Sequence, residues 1–167
     1  RGHYYFYSTC ESLSDFTDYG VAAETVDTTI RQRGSASIQF AAGAGGSAWA
    51  YKTLASTKTT VTTAIWVYIS PDSGAAQHEY IEYQTSGGTA IARLITSSTD
   101  IIQAYNVPAV ATYTATGNCT LGRACWRELR FTCTISATVG VINVYLDGQL
   151  VINQTGLNTG TDAIGRI

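Results

Sequence analysis

The chain consists almost throughout of short runs of β-branched and aromatic residues, separated by clusters of Gly, Asn, Asp and Ser. Apolar positions recur every second residue rather than every third or fourth, which predicts strands. A dozen strands are expected: His3–Ser8, Ala22–Ile30, Ser37–Phe40, Ala48–Thr53, Thr60–Ile69, Glu79–Gln84, Ala90–Thr96, Ile101–Asn106, Tyr113–Thr116, Trp126–Ser136, Val141–Leu146 and Leu150–Gln154. Turns are predicted at Arg33-Gly34-Ser35, Gly43-Ala44-Gly45-Gly46, Pro71-Asp72-Ser73-Gly74, Ser86-Gly87-Gly88 and Asp147-Gly148. The last joins two apolar runs as a tight hairpin. One helical turn is expected at Glu11–Phe16, where Ser and Asp can cap it. So many strands without helices bury their apolar faces only in a barrel or in two stacked sheets.

A length of 167 residues suits one domain with one core, and neither a linker nor an internal repeat divides it. The chain begins at Arg1, contains no Met, and stops at Ile164-Gly165-Arg166-Ile167 in what reads as mid-strand. The expectation is a single domain over residues 1–167 that lacks its extreme terminal residues, as a processed product or a piece of a longer chain.

Composition narrows the setting. Hydrophobic residues make up 45% and aromatic residues 11%, enough to offset ordering entropy, so a disordered chain is excluded. Charged residues are only 13%, about half the usual share of roughly 25%. Thr, Ser, Gly and Ala take their place, a surface chemistry common on secreted, cell-surface and virion proteins. The net charge is −2 with no basic run, which argues against nucleic acid as a partner. No apolar stretch approaches the roughly 20 residues of a membrane-spanning helix, and no signal peptide is visible.

The four cysteines are Cys10, Cys119, Cys125 and Cys133. Cys119 and Cys125 flank a turn and can close a short disulfide loop, although four cysteines allow three pairings. Cys133, in step with Leu129 and Phe131, reads as a buried small hydrophobe. Zinc is not expected, because there is no C-x-x-C pair and His3 and His78 lie far apart. Calcium needs several converging oxygen ligands, and Asp72, Asp100, Asp147 and Asp162 are isolated in sequence, with turn formation accounting for Asp72 and Asp147, so no metal site is assigned. No cofactor is expected.

A family resemblance appears in the order of several motifs. Glu11-Ser12-Leu13-Ser14-Asp15-Phe16 is followed by Arg33-Gly34-Ser35-Ala36-Ser37-Ile38, then by the aromatic strand Ala64-Ile65-Trp66-Val67-Tyr68-Ile69. Later come Trp126-Arg127-Glu128-Leu129-Arg130-Phe131 and Val144-Tyr145-Leu146-Asp147-Gly148. This order resembles the concanavalin A-like and laminin-G-like jelly rolls found in bacterial surface proteins and in phage decoration or tail proteins. The resemblance covers nearly the whole chain. It implies an all-β fold, a two-sheet antiparallel β-sandwich, with Ile164–Ile167 opening a return strand beside the first one.

Glucanases that share the fold carry Glu-x-Asp-x-Glu, whose spacing of two puts the carboxylates on one face. Here Glu79 and Glu82 are three apart, and simple alternation sends them to opposite faces. From that register they cannot act as acid and nucleophile on one glycosidic bond. With two His and no G-x-S-x-G, no catalytic residue is assigned. The Gly43–Gly46 stretch lacks the Lys-Ser/Thr of a phosphate loop.

A glycan-binding surface is the remaining candidate, because sugars stack on aromatic rings while polar groups take their hydroxyls. Alternation groups Trp66 with Tyr68, Tyr80 with Glu82, and Trp126 with Glu128 and Arg130; Asn143 shares a face with Tyr145. If Leu129, Phe131, Ile142, Val144 and Leu146 line the core, these faces point outward. The bland alternative is that a mid-strand Trp is core, and that Glu128 with Arg130 is an ordinary ion pair. Asn118-Cys119-Thr120 and Asn153-Gln154-Thr155 match the N-glycosylation acceptor pattern, which matters only in a eukaryotic secretory pathway.

The expected function is a non-catalytic module with a structural or decoration role on a virion or cell-surface assembly, located extracellularly. Its partners are other structural proteins or copies of itself. The alternative is a lectin-like adhesion module that binds glycans, and a third reading is a glycoside hydrolase. Neither nucleic-acid binding nor membrane insertion is expected.

Overall fold

Buried and half-buried positions alternate most regularly along Gly140–Leu146, and register shifts interrupt the pairing of His78–Gln84 with Ala90–Thr96 and of Gly140–Leu146 with Gln149–Leu157. The computed structural model describes residues 14, 16–19, 24–32, 34–40, 49–71 and 76–167. In chain order the strands are β1 (Asp18–Tyr19), β2 (Glu24–Asp27), β3 (Ser37–Phe40), β4 (Ala50–Tyr51), β5 (Thr53–Lys58), β6 (Thr60–Tyr68) and β7 (His78–Gln84). They continue with β8 (Ala90–Thr96), β9 (Ile102–Asn106), β10 (Ala111–Thr114), β11 (Trp126–Thr134), β12 (Gly140–Leu146), β13 (Gln149–Leu157) and β14 (Ile164–Arg166). The expected strand His3–Ser8, the helical turn at Glu11–Phe16 apart from Ser14 and Phe16, Cys10, and the turn at Gly43–Gly46 lie outside the described residues.

The chain divides into two compact units, Arg1–Ala55 with Arg166–Ile167, and Ser56–Gly165. In the first, β1 pairs with β4 and β2 with β3. Asp27 accepts hydrogen bonds from the Thr29 amide and hydroxyl and from the Ile30 amide, a local turn that starts the β2–β3 connection. The Arg166 guanidinium lies 4.8 Å from the Tyr51 ring centre, and Lys52 and Ile167 exchange backbone hydrogen bonds.

The second unit carries an antiparallel β-sandwich, as the alternation predicts. One sheet is ordered β13-β12-β11-β6; the other is ordered β10-β9-β8-β7-β14-β5, with β5 contributing its second half to this unit. The chain runs up β6 in the first sheet, makes a four-strand meander through β7–β10 in the second, and returns for the β11–β13 meander. The facing sides are mainly apolar, with Thr96 and Asn106 buried among them. Leu129, Phe131, Cys133, Ile142, Val144 and Leu146 from one sheet and Ile81, Tyr83, Ala92, Leu94, Ile102 and Ala104 from the other are all buried. Tyr83 and Phe131 stack at 4.9 Å with nearly parallel planes, and the Tyr83 hydroxyl donates to the Phe131 carbonyl at 2.7 Å. Cys133 is buried among these side chains, as its spacing predicts, and burial pushes its thiol up to about 12.

Two connections end the sheets. At Asp147-Gly148 both residues have positive φ, 48° and 82°, the type I′ hairpin turn that the dipeptide predicts. Asp147 also accepts from the Glu128 amide at 2.9 Å and pairs with Arg127 at 3.0 Å. The β10–β11 connection is pinned at several points. Leu121 is buried, its amide donates to the Asp100 carbonyl, and Arg123 clasps the Asp100 carboxylate at 2.7 and 3.2 Å. Cys119 and Cys125 are not joined in this structure, and the contacts of Leu121 and Arg123 hold the loop between them.

The Arg123 hydrogen bonds hold the Asp100 carboxyl below its ordinary 3.8. A depressed carboxylate contributes stability that is present above 3.8 and is lost as pH falls through the lower folded value. Asp100 also sits at φ 60°, a conformation Asn tolerates well. Asp100→Asn is therefore expected to lower the melting temperature by a few degrees at neutral pH, with the gap to wild type closing in melts below pH 3.8.

Candidate functional site: a groove on the six-stranded sheet

An extra residue in β7 sets the chemistry of the site. Pairing between β7 and β8 runs His78 with Thr96 and Glu79 with Ile95, then jumps to Ile81 with Leu94 and Glu82 with Arg93. Tyr80 is the unpaired residue of a β-bulge. The bulge absorbs one position, so Glu79 and Glu82 face the same side, outward, while Ile81 and Tyr83 remain in the core. This corrects the alternation argument that sent Glu79 and Glu82 to opposite faces. Both carboxylates pair with the single guanidinium of Arg93, Glu79 at 3.6 Å and Glu82 in close contact.

Cross-strand register extends the pattern into two rows. Glu82, Arg93, Tyr105 and Thr112 lie opposite one another across β7, β8, β9 and β10, and beside them run Glu79, Ile95, Gln103 and Thr114. Gln77, Glu79, Arg93, Ile95, Gln103, Tyr105 and Thr112 line an open groove of about 510 Å³. The two oxygens of Glu82 are taken by different donors, Oε1 by the Gln84 amide and Oε2 by Arg93. Glu82 is thus a buttress that fixes Arg93. Glu79 keeps more of its surface, with a side chain 43% exposed. Partial burial, and secondarily the charge of Glu82, raise the Glu79 carboxyl, and Arg93 offsets part of this.

The residues expected to form a site separate into two groups. Trp66, Tyr68, Trp126, Glu128, Arg130 and Tyr145 come together on the outward face of the four-stranded sheet, as alternation predicts. There Tyr68 and Trp126 are 5.5 Å apart, Glu128 and Arg130 pair at 3.1 Å, and Arg130 lies 5.7 Å from the Tyr145 ring centre. Glu82 belongs to the other sheet, next to the groove. Tyr80 does not share its face: its hydroxyl lies 3.3 Å from that of Thr96, which is fully buried on the inner side. Burial, moderated by that hydrogen bond, pushes the Tyr80 phenol up to about 12.

Gln77, Arg93, Gln103, Tyr105 and Thr112 were not singled out by the sequence. Arg93 had a readable signal, as the one charge in the apolar run Ala90-Ile91-Ala92-Arg93-Leu94-Ile95. The others acquire meaning only through cross-strand register. Among the described residues, no group of three or more His, Cys, Asp or Glu is placed to hold a metal ion. No protein family matches the chain, and no curated protein or solved structure is significantly similar to it.

Proposed function

We propose that this chain is a non-catalytic glycan-binding module of the concanavalin A-like or laminin-G-like jelly-roll kind, carried on a cell-surface or virion assembly. The observation that carries the reading is the outward lattice Glu79, Arg93, Gln103, Tyr105 and Thr112 in an open groove. Sugar hydroxyls need closely spaced donors and acceptors on a firm base, together with an aromatic body for their C–H faces. Carboxylate, guanidinium, amide and hydroxyl groups are offered here from four neighbouring strands, and Tyr105 supplies the ring. The low charge and Thr-rich surface support the surface setting.

The bulge also gives the hydrolase reading something it lacked, two carboxylates on one face. Against it stands the engagement of both Glu82 oxygens, which leaves Glu79 without a second free carboxylate to work with. The test is a glycan array followed by titration of the best hit. Glu79→Gln and Tyr105→Ala are each expected to weaken binding about 10- to 100-fold, the loss of one charged hydrogen bond or one stacking partner. A blank array, or binding that both variants leave unchanged, would overturn the reading. Release of new reducing ends from a bound oligosaccharide would replace it with hydrolysis.

A further inference from the structure

The outward face of the four-stranded sheet is independent of the groove, and its composition is unusual for a solvated surface. Its outward strand positions hold Trp66, Tyr68, Trp126, Tyr145 and Leu150 at one end and Thr60, Thr62, Thr132, Thr134, Asn143, Asn153 and Thr155 at the other. Trp66 is 46% exposed and Leu150 42%. The threonines are joined across β6 and β11, Thr62 to Thr132 at 2.8 Å and Thr60 to Thr134 at 3.1 Å. Glu128 and Arg130 are the only charges among these positions, and they neutralise each other at 3.1 Å. Such a face can be covered without stranding a lone charge.

We propose that this face is a homodimer interface, in which two copies stack four-stranded sheet on four-stranded sheet about a twofold axis. The argument is self-complementarity, which a twofold interface requires of its own surface. The axis lies between the two faces and crosses β11 at Leu129. It exchanges positions equally spaced on either side, so Glu128 of each copy meets Arg130 of the other. On β6, Ile65 is level with Leu129, Trp66 with Glu128 and Ala64 with Arg130. The same axis therefore sets each bulky, exposed Trp66 over the small, exposed Ala64 of the second copy. Charge and volume match under one operation. Sheets packed this way sit about 10 Å apart. Four strands of up to nine residues project to roughly 30 by 19 Å, and side-chain relief brings the accessible area toward the roughly 800 Å² per partner of a standard interface.

The test is sedimentation velocity on the 167-residue chain across a concentration series. Wild type is expected to show a species of twice 17.8 kDa at high micromolar concentration. Ala64→Trp, at an exposed position, is expected to leave the fold intact by circular dichroism and the dimer absent. Glu128→Arg and Arg130→Glu are each expected to weaken dimerisation at least 10-fold, since each sets like charges face to face. An equimolar mixture of those two variants is expected to form a heterodimer within a few-fold of wild-type affinity. A chain that stays monomeric at all concentrations, an Ala64→Trp variant that still dimerises, or a mixture that does not associate would overturn the proposal. Because none of these residues lines the groove, glycan binding by Ala64→Trp separates failure here from failure there.

Discussion

Phe131→Ala is expected to lower the unfolding free energy by about 3–5 kcal/mol, the range for removing a fully buried aromatic ring. Phe131 has no exposed surface and lies on β11, between β6 and β12. Its ring is the flat partner of Tyr83 from the opposite sheet, with an interplanar angle of 2°. Removing it leaves a cavity that Tyr83 cannot refill, because the tyrosine is tethered by its hydroxyl to the Phe131 carbonyl and to the Thr63 hydroxyl at 3.0 Å. The tether uses backbone, so it survives the substitution and keeps the cavity open. Urea titration gives the measurement, read as a lower midpoint at unchanged slope. Tyr83→Phe is the informative comparison: it keeps both rings and removes only the tether, with an expected loss of about 0.5–1.5 kcal/mol, the net worth of one hydrogen bond. If Phe131→Ala cost no more than that, the stack would not be the centre of the core.

Gly165→Ala is the second large effect, and it runs against the usual direction. Replacing glycine commonly stabilises by about 0.4–1 kcal/mol through the unfolded chain. At Gly165 in β14 an added Cβ would fall 2.6 Å from the Ser86 amide nitrogen and 2.7 Å from the Ser86 Cα. These are backbone atoms of the turn that follows β7, and they have no rotamer to change. The expected cost is about 3 kcal/mol, the upper part of the overpacking range, seen as a lower urea midpoint. Gly87→Ala, one residue beyond Ser86, is the control. Its nearest neighbour would be the Thr85 hydroxyl at an ordinary 3.7 Å, and the substitution is expected to be close to neutral.

What the sequence made legible was whatever depends on period two. Ser37–Phe40 and Ala90–Thr96 match the observed strands at both ends, and β12 alternates buried and half-buried without a break. Asp147-Gly148 was legible because few dipeptides adopt two successive positive φ values. The length of β13 was not, since the expected strand ends at Gln154 although pairing with β12 carries it to Leu157. Of the candidate residues, the six on the four-stranded sheet were legible for the same periodic reason. The groove was not, for two reasons. Its polar residues come from different strands, where neighbours depend on register. The residue that aligns Glu79 with Glu82 is also a bulge, which leaves no mark in a pattern of two.

The bulge also makes β7 longer in sequence than in space. Tyr80 occupies a place that its neighbour β8 does not count, and it sends its side chain to Thr96 rather than to the groove. A strand spelled Glu-x-Glu without the bulge and one spelled Glu-x-x-Glu with it therefore write the same two carboxylates on the same surface. Column-by-column comparison would put a gap inside the groove although nothing on its outward face had moved. The outer face of this sheet can thus keep its chemistry while the spacing between the two glutamates changes by one residue.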